Sequence, residues 1–144
     1  MQVSEGELAW NAKIIENFRE HDGHVTLPPF QNSNLLLLTT TGATTGERHT
    51  SPLGFTRDGD RYVVVGSNSG LDLQPVWLRN LQGNALSRLE VGGVSFEARA
   101  TITSGAERRR LLDAHQAAIP IFVKYEAMTD RELPVIALER ADSR

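Results

Sequence analysis

The sequence predicts an α+β fold built on a small, six-stranded, mostly antiparallel β-barrel with flanking helices. Three observations predict it. Residues 94–102 alternate strictly, with Val94, Phe96, Ala98, Ala100 and Ile102 on one face and Ser95, Glu97, Arg99 and Thr101 on the other, the period of a half-buried strand. Short glycine-containing turns, Asp58-Gly59-Asp60 and Gly92-Gly93, join apolar segments in the manner of hairpins. Four consecutive leucines, Leu35 to Leu38, show no polar alternation, as expected of a strand covered on both faces.

In chain order, Ser4 and Glu7 have capping-box spacing before Leu8, Ala12, Ile14, Ile15 and Phe18, which gather on one side of a first helix that Gly23 ends. Residues 23–34 carry Pro28-Pro29 and no period, and read as a loop. Strand 35–38 follows, then a polar loop, then strands 50–57 and 61–67 as a hairpin. Pro75 fits the first position of a short helix, 75–81, with Trp77, Leu78 and Leu81 on its apolar side. Strands 85–91 and 94–102 form the second hairpin. Ser104 and Glu107 repeat the capping-box spacing before a helix through Ala118, which Pro120 ends; a short helix 121–128 and a closing strand 134–139 complete the chain. We expect one domain over residues 1–144, with an N-terminal helix and loop at 1–33 and the barrel with its helices at 34–140.

Composition narrows the function. The chain has 144 residues, no cysteine and a formal net charge of −3. Disulfides, thiolate nucleophiles and cysteine metal sites are therefore excluded, and no general attraction for nucleic acid is expected. No apolar run approaches the ~20 residues of a membrane helix, and no signal pattern opens the chain, so a cytoplasmic protein without an integral membrane segment is expected. His21-Asp22-Gly23-His24 lacks a distant third ligand, so no metal site is expected there. Arg108-Arg109-Arg110 reads as a solvated helix face and His115 as a surface histidine.

The candidate functional segment is residues 39–51, Thr-Thr-Thr-Gly-Ala-Thr-Thr-Gly-Glu-Arg-His-Thr-Ser. Two glycines permit positive φ and close approach of backbone amides to an anion, and threonine hydroxyls donate and accept hydrogen bonds. A plain hairpin connection whose threonines satisfy their own backbone accounts for the same residues. A Walker loop is excluded, because Gly-Lys-Ser/Thr is absent, and so is a dinucleotide fingerprint, because no helix follows.

This segment and a series of later residues resemble the deazaflavin-dependent nitroreductase family, which uses the cofactor F420. The matching residues are Thr39–Gly42, Gly46 with the basic residues beyond it, and Pro52-Leu53. They continue through Asp58-Gly59-Asp60-Arg61-Tyr62, residues 63–68, Pro75, Trp77 and Asn80-Leu81. Tyr125, Thr129-Asp130-Arg131 and Pro134 complete the series, which spans positions 14 to 139.

The resemblance implies a split β-barrel of the pyridoxamine-oxidase, FMN-binding type and an oxidoreductase in which the cofactor supplies the electrons. It places the deazaflavin ring near Leu38, Thr39, Val65, Gly66, Ser67, Asn68 and Trp77. The phosphate tail would follow Thr40, Thr41, Gly42, Thr44, Thr45, Gly46, Arg48, His49 and Pro52. Hydride would pass to a quinone, a nitro compound or an activated alkene, held by Phe122 and Tyr125 and covered by Trp10. Tyr125 would orient the acceptor or give it a proton.

The chain departs from the family at Ala43, Thr44 and His49, where cations are usual, and Arg48 is expected to compensate. Its acidic Leu71-Asp72-Leu73 loop, Asn68, Ile119 and Phe122 are further departures. Those changes keep open an FMN-using relative, or a non-catalytic module for a lipophilic ligand or fatty acid. The partner in every case is a small molecule, and the protein a monomer or homodimer.

Overall fold

The four leucines begin a strand, β1 (Leu35–Thr41), and their two faces meet different neighbours. Leu36 and Leu38 join the main core with Val64, Leu78, Leu89, Phe96, Ile136 and Leu138. Leu35 and Leu37 face Ile14, Phe18 and Val25, the first two on helix α1 (Glu5–Glu20). Both faces are covered, which is why no polar residue interrupts the run. Each such leucine contributes about 1.5–3 kcal/mol by leaving water. The computed structural model describes residues 5–28, 33–42, 44–70 and 74–141. Ser4, the side chain of Leu8, Pro29, Ala43 and Leu71-Asp72-Leu73 lie outside the described set.

The other strands are β2 (Arg48–Gly54), β3 (Thr56–Asp58), β4 (Arg61–Val65), β5 (Leu86–Val91), β6 (Val94–Ile102) and β7 (Val135–Arg140). They form one sheet in the order β2-β1-β5-β6-β7-β4-β3, with every pairing antiparallel. Only Phe55 separates the two edge strands in sequence, so one bent stretch supplies both edges and the sheet rolls round on itself. The single strand expected at 50–57 is thus two, and six strands become seven. The cause is a change of partner: Gly54 pairs with Leu35, whereas Thr56 pairs with Val63. Between them, the Phe55 amide donates to the Asn34 carbonyl at 3.2 Å. The result is a curled, open half-barrel whose two edges, β2 and β3, are joined by one bent stretch of chain.

Three helices follow β4. They are α2 (Val76–Gly83), α3 (Gly105–Ala118) and α4 (Ile121–Ala127). Pro75 stands at the cap of α2, in extended conformation, one residue before the expected position. The Ser104 side chain makes no capping bond; Glu107 instead meets Arg61 at 3.1 Å. Gly23, at φ +92°, ends α1 where a Cβ would stand 2.4 Å from the Gly92 Cα, so this glycine docks the helix on the β5–β6 turn.

Several expected faces are modified. Ala12 is exposed on α1. Along β6 the core takes Phe96 and Ala98, while Val94 and Ile102 at the strand ends are exposed. The arginine run is not a solvated face throughout: buried Arg108 donates through Nε to the Leu133 carbonyl at 2.8 Å. Arg110 and Arg61 converge on Asp58 and hold its carboxyl at about 2. Arg109 joins Glu126 of α4 and Asp113. These contacts fasten α3 to the β3–β4 turn and to α4. No described helix is long and apolar enough to cross a membrane.

Candidate functional site

The hydroxyl-rich segment is mostly strand. β1 continues through Thr41 and β2 begins at Arg48, which leaves a turn at 42–47. The Gly42 amide donates to the Glu47 carbonyl at 2.6 Å, and the Gly46 amide to the Gly42 carbonyl at 3.1 Å. The Glu47 amide donates to Thr45 Oγ1 at 3.1 Å. Gly46, at φ +75°, makes the bend possible. Thr39 and Thr50 share a hydroxyl contact of 2.8 Å. Thr40 Oγ1 accepts from Asn80 Nδ2 at 3.0 Å and donates to the His49 carbonyl at 3.5 Å. These groups bond to one another, as a plain hairpin connection requires.

Strand register then decides what β2 presents. Thr40 stands opposite His49, and Leu38 opposite Ser51, so these side chains share the barrel face. Arg48 stands opposite Thr41, and Thr50 opposite Thr39, so these belong to the other face.

On the barrel side of β2 lies a cavity of about 570 Å³. One wall is His49, Ser51, Leu53 and Phe55. Val65, Ser67, Asn68, Pro75 and Trp77 form its base, from the end of β4 to the start of α2. Ile119, Phe122 and Tyr125, at the α3–α4 corner, form the opposite wall. No Asp, Glu, Lys or Arg borders it among the described residues. Burial lowers the His49 pKa from its ordinary value, so the imidazole is neutral at neutral pH.

The base is held tightly. Arg131 Nη2 donates to the Ser67 carbonyl at 2.8 Å, and the Gly66 amide to the Pro134 carbonyl at 2.9 Å. Asn68 occupies the left-handed region at φ +47°, a conformation that asparagine adopts more readily than most residues with a Cβ. Gly70, at φ +82°, lies directly under Met128, which caps α4.

The opposite wall rests on an aromatic series. Tyr125 meets Phe122 edge-on at 5.3 Å between centroids, and Phe122 meets His115 at 4.5 Å. His115 is wholly buried, not a surface residue. Its Nδ1 lies 2.9 Å from Thr56 Oγ1, and burial pushes its pKa down to about 4. The spacing Leu111, Leu112, His115 carries this placement, because i, i+3 and i+4 share a helix face.

Of the residues expected at the cofactor, His49, Pro52, Val65, Ser67, Asn68 and Trp77 border the cavity, and so do Phe122 and Tyr125 of the expected acceptor side. Leu38 and Thr40 are sealed beneath it. Thr39 and Thr41 share the opposite face of β1, Gly66 lies against Leu78 and Pro134, and Gly42 closes the turn. Thr44, Thr45, Gly46 and Arg48 are exposed. Arg48, the expected compensating cation, therefore faces away, and His49 faces in. Trp10 is 37% exposed and does not border the cavity, whereas the adjacent Asn11 does. Ser51, the last residue of the candidate segment, borders it too, and so do Leu53 and Phe55, which were not expected there; all three follow from His49 by the period of two. Among the described residues no cluster of three metal-ligating side chains occurs.

Residues 10–140 match the family described as F420H(2)-dependent quinone reductase. An F420H(2)-dependent quinone reductase of Mycobacterium tuberculosis is 33% identical over 108 residues, 73% of this chain and 72% of its own length. Among solved structures, an F420-H2 dependent reductase, FDR-A, superposes with a TM-score of 0.69 at 29% identity, covering 74% of this chain and 94% of its own. A second, described as a domain-swapped dimer, superposes with a TM-score of 0.71 at 26% identity, covering 92% and 96%.

Proposed function

Because the chain belongs to the F420H(2)-dependent quinone reductase family, a family of oxidoreductases whose cofactor is F420, we propose that its uncharged cavity holds the reduced deazaflavin ring beside a quinone. The observation that carries this reading is the pairing of two unlike walls across one space. A base of Ser67, Asn68, Pro75 and Trp77 faces an aromatic wall of Phe122 and Tyr125.

The residues present fit the ring end of the cofactor. Trp77, only 5% exposed and fixed in the core, offers a rigid apolar surface. Ser67 and Asn68 offer polar atoms at its margin, set by the Arg131 bond to the Ser67 carbonyl. Bound reduced deazaflavin supplies a hydride, and no protein nucleophile is required.

The chain's own part is position, dryness and a proton. Leu53, Phe55, Ile119 and Phe122 exclude water from the space between donor and acceptor, which strengthens each polar contact made there. Tyr125 borders the same space, and its phenol can donate to a carbonyl oxygen of the acceptor. A quinone that gains a hydride at one oxygen needs one proton to become a hydroquinone, and in this reading the Tyr125 phenol supplies it. His49 and Ser51 give the β2 wall a second pair of hydrogen-bonding groups without a net charge, which suits a neutral acceptor. Acceptor choice thereby favours quinones over charged substrates.

The test is anaerobic oxidation of F420H2 followed by the return of F420 absorbance, with a quinone, a nitroaromatic and an activated alkene supplied in turn. We expect protein-dependent turnover, fastest with the quinone. Equal rates with and without protein for all three would refute the reading.

A further inference from the structure

We propose that this chain recognises F420 by its uncharged ring end and leaves the anionic tail ungripped, so that the deazaflavin without its phosphate-bearing tail binds about as well as the intact cofactor. The inference rests on the cofactor reading above and adds which part of the ligand the protein selects.

Among the described residues no Lys or Arg borders the cavity, and its imidazole, His49, is neutral at neutral pH. Arg48 projects from the opposite face of β2, beside Thr41. Arg79 and Lys124 stand on the two short helices that border the cavity, but both are exposed and neither lines it.

Lys13, two residues beyond the lining Asn11, is likewise exposed and does not line the cavity. Other cations around these walls are engaged by the protein itself. Arg131 is on the Ser67 carbonyl and Arg108 on the Leu133 carbonyl. Arg61, Arg109 and Arg110 are on carboxylates. The residues outside the described set add no Lys or Arg except Arg144 at the terminus, and in sequence they include the acidic Asp72.

Within the turn at 42–47, three of the amides are already committed. An anion-binding nest needs successive amides pointing outward together. Here the amides of Gly42, Gly46 and Glu47 are bonded to the Glu47 carbonyl, the Gly42 carbonyl and Thr45 Oγ1. The Glu47 carboxylate adds negative charge at the same turn. A charge-assisted clamp on a phosphate changes affinity roughly tenfold or more, and nothing in this cavity supplies one.

The experiment titrates the full chain with intact F420 and, separately, with the deazaflavin lacking its phosphate tail, following the quenching of tryptophan fluorescence by a ring bound at Trp77. Each titration is run at about 50 and about 500 mM salt, conditions between which exposed ionic contacts are strongly screened. The expected result is that the two ligands bind within about fivefold of each other, and that salt changes either affinity by less than about fivefold. An intact cofactor that binds more tightly than the fragment by a larger factor, or loses more than that on adding salt, overturns the inference while leaving the cofactor assignment in place. Binding of neither ligand overturns the cofactor assignment itself, and the inference with it.

Discussion

The two walls of the cavity are held by different means. On the β2 side, position is set by a backbone ladder that runs from Leu35–Gly54 to Thr41–Arg48, so side chains face in or out by strand period alone. On the α3–α4 side, no residue of α4 is buried. That wall is placed by side chains: His115 under Phe122, Arg109 on Glu126, and Met128 over Gly70. A ladder spreads its energy over many bonds, whereas a wall held by a few side chains concentrates it in them. The α3–α4 wall is therefore the more easily broken by single substitutions.

The largest expected effect tests that contrast directly. His115→Ala removes a wholly buried ring, its link to Thr56 and the support of Phe122, and should cost about 2–5 kcal/mol in urea denaturation. Thr40→Val on the ladder side leaves Asn80 Nδ2 without one acceptor and should cost only about 1–3 kcal/mol. Reversal of that order would place the weak wall on the other side.

The second prediction concerns pH. His115 has a native pKa of about 4, below the ~6.5 of an unfolded histidine. Between those values the unfolded chain binds a proton that the native chain refuses, so stability falls as pH drops through this window. The slope is at most about 1.4 kcal/mol per pH unit from this residue. Comparing the protein with His115→Gln from pH 7 to about pH 4 should show the steeper loss in the protein carrying the histidine. Parallel curves would mean the imidazole is charged or solvated.

Third, Arg131→Ala removes the donor to the Ser67 carbonyl, which fixes the chain just ahead of Asn68. Affinity for the deazaflavin should fall roughly tenfold, read by tryptophan quenching, with a smaller change in the Michaelis constant for the acceptor. The smallest effect belongs to the β2 face. Arg48→Ala should alter cofactor affinity by less than about twofold, and His49→Ala by more, since His49 alone faces in. A larger loss from Arg48→Ala would place the tail on the outer face of the sheet.

Much of the fold was legible because its signals are local. The leucine run, the alternation at 94–102 and the glycine turns each reflect a short stretch meeting one environment. The strand break at Phe55 was not legible, because it arises from the sheet rolling until β2 and β3 face different partners. His115 was hidden by its polarity, although its spacing from Leu111 and Leu112 marked a buried face.

The candidate site shows the same division. Ser67, Asn68, Trp77 and Tyr125 stood out by their place in an ordered series of family-like residues. The part played by the hydroxyl cluster was not legible, because sequence counts hydroxyls without showing that Thr39, Thr40 and Thr50 bond to neighbouring protein groups while His49 and Ser51 border the cavity. Likewise Arg48 and His49 are adjacent in sequence but lie on opposite faces of one strand.

The central claim is that the cavity between these walls is where hydride passes. Ile119→Trp tests it most directly, because position 119 borders the cavity and is only half-buried, so a larger ring can fill the space without entering the core. We predict that the variant keeps its thermal midpoint while F420H2-dependent quinone reduction falls at least about tenfold. A folded variant that turns over at the rate of the unsubstituted protein would contradict the account.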